Sequence, residues 1–142
     1  MISFKQSAII NAPVEKVFST IADPAQIPRW RTEVPAITGI SGPSKAGTTF
    51  LEEVQFMGKK NLLMKITELI PNQKIVIEAQ SGMSLLPTQS FTFTSEADRT
   101  RIDLDVTMKV KGLFILMQFM LPAQLKKIWS KYFDNLDKML GQ

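Results

Sequence analysis

Thr100-Arg-Ile-Asp-Leu-Asp-Val-Thr-Met-Lys-Val-Lys111 alternates between apolar and polar residues along nearly its whole length. Ile102, Leu104, Val106, Met108 and Val110 fall on one side, with Arg101, Asp103, Asp105, Thr107, Lys109 and Lys111 on the other. Successive side chains of a strand point to opposite faces, so this stretch is a strand with one dry and one wet face. The same period recurs toward the N-terminus. Phe91 and Phe93 alternate with Thr92 and Thr94, Ile75 shares a face with Ile77 and Ala79, and Leu62 with Met64 and Ile66. Phe50, Glu52, Val54 and Phe56 alternate with Leu51, Glu53, Gln55 and Met57, and Ile37–Ile40 is a further short strand. Gly42-Pro43 with Gly47, Gly58-Lys59, Pro71-Asn72 and a loop from Ser81 to Pro87 separate the runs. Residues 2–10, with Ile2, Phe4, Ala8 and Ile10 on one side, complete seven strands of an antiparallel sheet.

A sheet with one apolar face must cover it, and the segment after Lys111 is the only one long enough to do so. Residues 113–140 would extend about 42 Å as a helix at about 1.5 Å per residue. Phe114, Leu121, Leu125, Ile128, Tyr132, Leu136 and Met139 line one stripe, with Trp129 at its edge. Lys127, Ser130, Lys131, Asp134 and Lys138 occupy the opposite side. Pro122 predicts a kink, or a break with Pro122 starting the main helix, and Gly141 suits a C-terminal cap. Near the N-terminus, Val14, Val17, Phe18 and Ile21 recur at helical spacing behind Pro13. A short helix over 13–22 follows, with Asn11 or Ala12 as cap and Glu15 in its first turn. Asp23-Pro24 stops it, and Ala25–Arg31 supports one more short turn, limited by Pro28. The fold class is α+β: a curved seven-stranded antiparallel sheet around a long C-terminal helix, two short helices after the first strand, and one domain over 1–142.

Composition narrows the chemistry. Hydrophobic residues make up 44% and charged residues 21% of 142, ordinary values for a globular chain. The chain has no Cys, which excludes a disulfide, a thiolate nucleophile and a sulfur metal site. It also has no His, which excludes a Ser-His couple and an imidazole metal ligand. No metal or cofactor is called for, and the balance tips toward a protein that is not an enzyme. The net charge of +4 comes from dispersed Lys residues rather than a basic run with interleaved aromatics, which argues against nucleic acid. Nothing in residues 1–10 reads as a signal peptide, and the longest apolar run, Leu113–Leu121, is about half a membrane span. A cytoplasmic protein is expected.

The start of the chain is specific. Ile10-Asn-Ala-Pro13-Val-Glu15-Lys-Val17-Phe18, then Ile21-Ala-Asp23-Pro24, then Pro28-Arg-Trp30 resembles the opening signature of the polyketide cyclase/dehydrase and lipid-transport proteins, within the START-like helix-grip superfamily. Gly42 and Gly47, ahead of Thr48-Thr49-Phe50, fit it too. The resemblance covers the whole chain and implies the helix-grip fold with a bulky apolar ligand held between sheet and long helix. It selects no activity, since members include cyclases, carriers of lipids or hormones, proteins of quinone biogenesis and co-chaperones. It transfers no catalytic residue.

The candidate ligand-binding residues are the inward positions. They are Phe50, Glu52, Val54, Phe56, Leu62, Met64, Ile77, Phe91, Phe93, Leu104, Val106 and Met108 from the sheet, and Phe114, Met117, Leu121, Leu125, Ile128 and Tyr132 from the helix. These side chains either pack on one another as a core or leave a cavity for a lipid, quinone or polyketide-like molecule. Glu52 stands out, because an inward carboxylate must stay protonated or find an Arg, Lys, Tyr or backbone partner. It would anchor a ligand hydroxyl or amine, or act as a general acid; otherwise a bulge turns it outward or it stands at a solvated mouth. Met83, Leu85 and Leu86 in the Gly82–Pro87 loop, with Leu116 and Met120 in the Leu113–Leu121 turn, are apolar residues without a core position. They form a gate, a transient membrane or protein contact, or bury each other. Binding or transport of a hydrophobic small molecule leads. A cofactor-independent cyclase, dehydratase or hydrolase using buried carboxylates, or a protein-interaction module, are the alternatives.

Overall fold

The computed structural model describes residues 2–55, 58–110 and 121–141. Strand β1 (Ile2–Ile10) leads into helix α1 (Val14–Ile21), a 3-10 turn (Pro24–Gln26) and helix α2 (Ile27–Trp30). Strands β2 (Ile37–Thr38), β3 (Thr49–Gln55), β4 (Lys59–Ile70), β5 (Lys74–Ser81), β6 (Leu85–Glu96) and β7 (Arg99–Val110) follow, then helix α3 (Leu121–Leu140). The sheet runs β1-β7-β6-β5-β4-β3-β2, with every neighbouring pair antiparallel. Consecutive strands pair through short turns. Asn72 (φ 60) and Ala97 (φ 59) take the left-handed conformation in two of these turns. The one long connection lets β1 pair with β7, from Ile2↔Met108 to Ile10↔Thr100.

Several local expectations need correction. Pro13, not Asn11 or Ala12, is the N-cap of α1, and it makes no side-chain capping bond. Asp23 instead caps the following turn, its Oδ1 accepting from Ala25 N at 3.1 Å. The first short strand after α2 covers only Ile37–Thr38. The expected loop from Ser81 to Pro87 shrinks to Gly82–Ser84, because β7 is long enough to pair Leu85↔Val110, Leu86↔Lys109 and Pro87↔Met108. Pro87 is tolerated there because β5 pairs with β6 only from Glu78↔Thr88 onward, leaving one side of the chain unpaired at the proline. The expected helix over 113–140 is described only from Leu121, with Pro122 in that first turn; residues 113–120 lie outside the described residues.

The stripe that α3 buries is also rotated. Trp129, Tyr132, Phe133, Leu136 and Leu140 are buried, whereas Ile128 is 38% exposed. The apolar arc of this helix is wide, and Trp30 and Phe91 choose its centre by packing on Trp129, with ring centroids 6.1 and 5.8 Å away. Polar bonds then fix the helix against its neighbours. Gln6 Nε2 donates to Ser130 Oγ at 2.6 Å, Asn11 N to Asp137 Oδ1 at 2.8 Å, and Asn135 Nδ2 to the Trp30 carbonyl at 3.2 Å.

Between sheet and helix the inner face divides in two. Two cross-strand pairs, Phe50↔Met64 on β3 and β4 and Phe91↔Leu104 on β6 and β7, are closely buried. Val17, Phe18 and Ile21 of α1 are buried as well, with Phe18 and Phe93 edge to face at 5.2 Å. One step further along the same strands lie Glu52, Leu62, Gln89 and Val106, and there close packing stops.

Gly82 holds the turn that borders this second region. Its φ is +123°, and an added Cβ would come within 2.2 Å of the Asn61 carbonyl oxygen on β4. Gly82→Ala is expected to lower stability by about 1–3 kcal/mol, read from urea denaturation, since strain and overlap act together. A midpoint equal to that of the unmodified protein would show that the turn is not held against β4.

Candidate functional site

The open half of the inner face is a cavity of about 540 Å³ between the sheet and α3. Strands β3 and β4 contribute Glu52, Val54, Gln55 and Leu62, and β6 with its turn contributes Met83, Leu85, Pro87 and Gln89. Val106 and Met108 come from β7, and Gln124, Leu125, Ile128, Trp129 and Tyr132 from α3. Arg31, Glu33 and Val34 follow α2. Apolar side chains form most of the wall. Exposed Glu33, Gln55, Gln124 and Ile128 stand at the mouth.

The expected ligand-binding positions therefore separate. Glu52, Val54, Leu62, Val106, Met108, Leu125, Ile128 and Tyr132 line the cavity. Phe50, Met64, Ile77, Phe91, Phe93 and Leu104 do not; they are buried core. Phe56, Phe114 and Met117, and the side chain of Leu121, lie outside the described residues. Of the gate residues, Met83 and Leu85 line the cavity and Leu86 is half-buried beside the main core. Leu116 and Met120, with the proposed contact surface at 113–120, lie outside the described residues. Met83 and Leu85 thus have buried neighbours, which the sequence could not supply because they come from the far end of β7 and from α3.

Glu52 points inward and is met by Arg31. The guanidinium donates from Nη1 to Oε1 at 3.1 Å and from Nη2 to Oε2 at 3.3 Å, an end-on bidentate pair in which Arg31 is 8% and Glu52 2% exposed and Arg31 Nε is buried without a partner. Charges removed from water this far need such geometry to offset their desolvation. Arg31 also lies over the rings of Trp129 and Tyr132, 5.0 and 5.4 Å from their centroids. Sequence reasoning missed Arg31, along with Glu33, Val34, Gln55, Pro87, Gln89, Gln124 and Trp129. The available signal was Glu52 itself, since an inward carboxylate on an apolar face asks for a cation. The partner lies 21 residues earlier and carries no mark of its own.

Burial pushes the Tyr132 hydroxyl above its ordinary value of 10.0. The Arg31 guanidinium pulls the other way, while Glu33 and Glu52 add to the rise. The neutral phenol is the favoured form in the fold. Its contribution to stability is present below the ordinary value and is lost as pH rises through the folded one.

Two outcomes are expected. Tyr132 is the only tyrosine, so the ultraviolet absorbance of tyrosinate reports this one group; its midpoint should lie above 10.0, and one at or below that value would contradict the burial. Arg31→Met, which strands Glu52 in the interior, should lose about 3–5 kcal/mol by chemical denaturation, and Arg31→Met with Glu52→Leu should recover most of it. Equal losses in the single and double replacements would mean the two charges are not coupled.

The comparisons with known proteins agree with this architecture. The profile of the family described as polyketide cyclase / dehydrase and lipid transport matches residues 1–140. No curated protein matches the chain. Among solved structures, the Zhui aromatase/cyclase from a Streptomyces species is similar at a TM-score of 0.78 and 12% identity, over 97% of this chain and 92% of that one. A conserved protein from Geobacillus kaustophilus gives a TM-score of 0.78 at 17% identity, over 98% and 95%. A START superfamily protein from Mycobacterium smegmatis gives 0.71 at 18% identity, over 98% and 94%. At these identities the solved structures speak to the fold alone, which is the helix-grip arrangement. The family profile, which spans nearly the whole chain, places it in the polyketide cyclase/dehydrase and lipid-transport family.

Proposed function

We propose that this protein binds a hydrophobic small molecule in the cavity between the open half of the sheet and α3, and carries it rather than transforming it. The observation that carries this reading is the cavity itself. Its volume of about 540 Å³ falls within the range of small-molecule sites, about 300–1,000 Å³. Val54, Leu62, Met83, Leu85, Val106, Met108 and Leu125 supply apolar wall, and Trp129 closes its floor. A space of this size with apolar walls is favourable for an apolar guest, which leaves water on entering. Met83 and Met108 can adapt to guests of different outline.

The cyclase reading has less support. Both oxygens of Glu52 accept from Arg31, so the carboxylate is engaged within the protein rather than directed at a guest. Glu33, at the mouth, sits 3.4 Å from Lys131 on the surface. Among the described residues, no helix is long and apolar enough to cross a membrane, so any lipid would be handled by the cavity or by a surface contact.

The reading is tested by native mass spectrometry of the purified protein for co-bound molecules and by titration with a neutral apolar fluorophore such as Nile red. Val106→Phe and Leu125→Phe fill the cavity from opposite walls and should each weaken the fluorophore at least about tenfold, or about 1.4 kcal/mol. Unchanged affinity in both, with the fold intact by circular dichroism, would place the binding elsewhere and defeat the proposal.

A further inference from the structure

The polar part of the cavity is charge-balanced in an unusual way for an apolar pocket. The charged residues in its described lining are Arg31, Glu33 and Glu52. Arg31 is spent on Glu52 through two hydrogen bonds, and Glu33 has a side chain 58% exposed beside Lys131. The lining thus holds one cation against two carboxylates, and that cation is already neutralised. Uncharged polar groups complete the set. Gln89, 4% exposed, brings an amide from β6, and Tyr132 brings a hydroxyl that burial keeps in its neutral form.

Resting on the reading that the cavity holds a hydrophobic molecule, we propose that the Arg31–Glu52 pair acts as a charge filter: the cavity accepts apolar molecules bearing an uncharged hydrogen-bonding group, such as a hydroxyl, ketone or ester, and rejects the matching carboxylate. A carboxylate needs a free guanidinium. To obtain one it must displace Glu52 from Nη1 and Nη2, which strands a buried carboxylate in exchange for a new ion pair. If it does not displace Glu52, it enters a lining that offers no unpaired cation among the described residues, and the cost of taking it out of water is left uncompensated. An ammonium fares little better, because the inner carboxylate is already engaged and the outer one faces solvent. A neutral group meets neither penalty. The amide of Gln89 can donate or accept and the phenol of Tyr132 can do the same, so both a hydroxyl and a carbonyl find a partner.

The filter makes Arg31 and Glu52 specificity determinants, and it is tested with one saturated chain carrying different ends. Nile red bound to the unmodified protein is displaced at neutral pH by lauryl alcohol, methyl laurate, laurate and laurylammonium, each below its micelle concentration. The alcohol and the ester should displace the dye at concentrations at least tenfold lower than laurate or the ammonium. The ester separates charge from shape, since it keeps the carbonyl of laurate and lacks only the negative charge. Glu52→Gln frees the guanidinium, and the order should then invert, with laurate displacing the dye ahead of the alcohol. Laurate equal to or better than the alcohol and ester on the unmodified protein would overturn the filter while leaving the cavity as a binding site. That ranking decides the matter even where Glu52→Gln fails to fold. Absence of Nile red binding altogether would overturn the filter together with the reading it rests on.

Discussion

A buried ion pair sets the conditions for the rest of this structure. Arg31 and Glu52 come from different elements, the residue after α2 and the middle of β3, and α3 lays Trp129 and Tyr132 against the guanidinium. Two charges withdrawn from water are tolerated only while each faces the other, so the three elements are held to one relative placement. The placement also fixes Trp30, the neighbour of Arg31. Trp30 is 1% exposed and its carbonyl accepts from Asn135 on α3. What looks in the chain like a short turn before the sheet is therefore the joint between the N-terminal helices and the gripping helix.

The pair also marks where the core ends. Away from the cavity the inward residues include Phe50, Met64, Phe91 and Leu104, all buried, with Phe91 against Trp129 and Phe93 against Phe18 of α1. On the other side they are Val54, Leu62, Gln89, Val106 and Met108, and no element of α1 reaches over them. The sheet's alternation is the same on both sides; what differs is the presence of a second layer. Close packing needs matched volumes from two surfaces, and a single helix crossing a broad sheet cannot supply them everywhere. One end thus stabilises the fold and the other leaves the cavity.

That division gives a physical account of why one family can host unlike activities. The packed end and the pinning bonds from α3 to β1 can stay as they are while the residues of the open end change. In this chain the open end lacks the groups most used for proton transfer near neutrality, there being no His and no Cys anywhere in it. Its described lining has instead a neutralised ion pair, one phenol and the amides of Gln55, Gln89 and Gln124 among apolar walls. The proposed carrier role asks only for groups of this kind, which orient a molecule by hydrogen bonds.

Read alone, the sequence determined the sheet and the helix. The inward residues of β3, β5 and β7, and of β4 as far as Ile66, are visible in the alternation, because burial on one face leaves a period of two in the chain. A register shift after Ile66 brings Leu69 onto the core out of period, and the signature from Ile10 to Trp30 identifies the family's frame. It also isolated Glu52, since a charge on a dry face contradicts its neighbours. Which inward residues line a cavity and which pack was decided by the tertiary structure alone. Phe91 and Gln89 are two positions apart on one strand and on the same face, yet Trp129 of α3 packs on Phe91 while Gln89 lines the cavity. The same holds for the centre of the stripe on α3. Ile128 and Trp129 are equally apolar, and contacts with Trp30, Phe91 and Arg31 turn Trp129 inward. Arg31 shows the limit most plainly: a pairing between residues 21 positions apart leaves no periodic trace, because it is chosen by the distance between folded elements and not by either residue's neighbours in the chain.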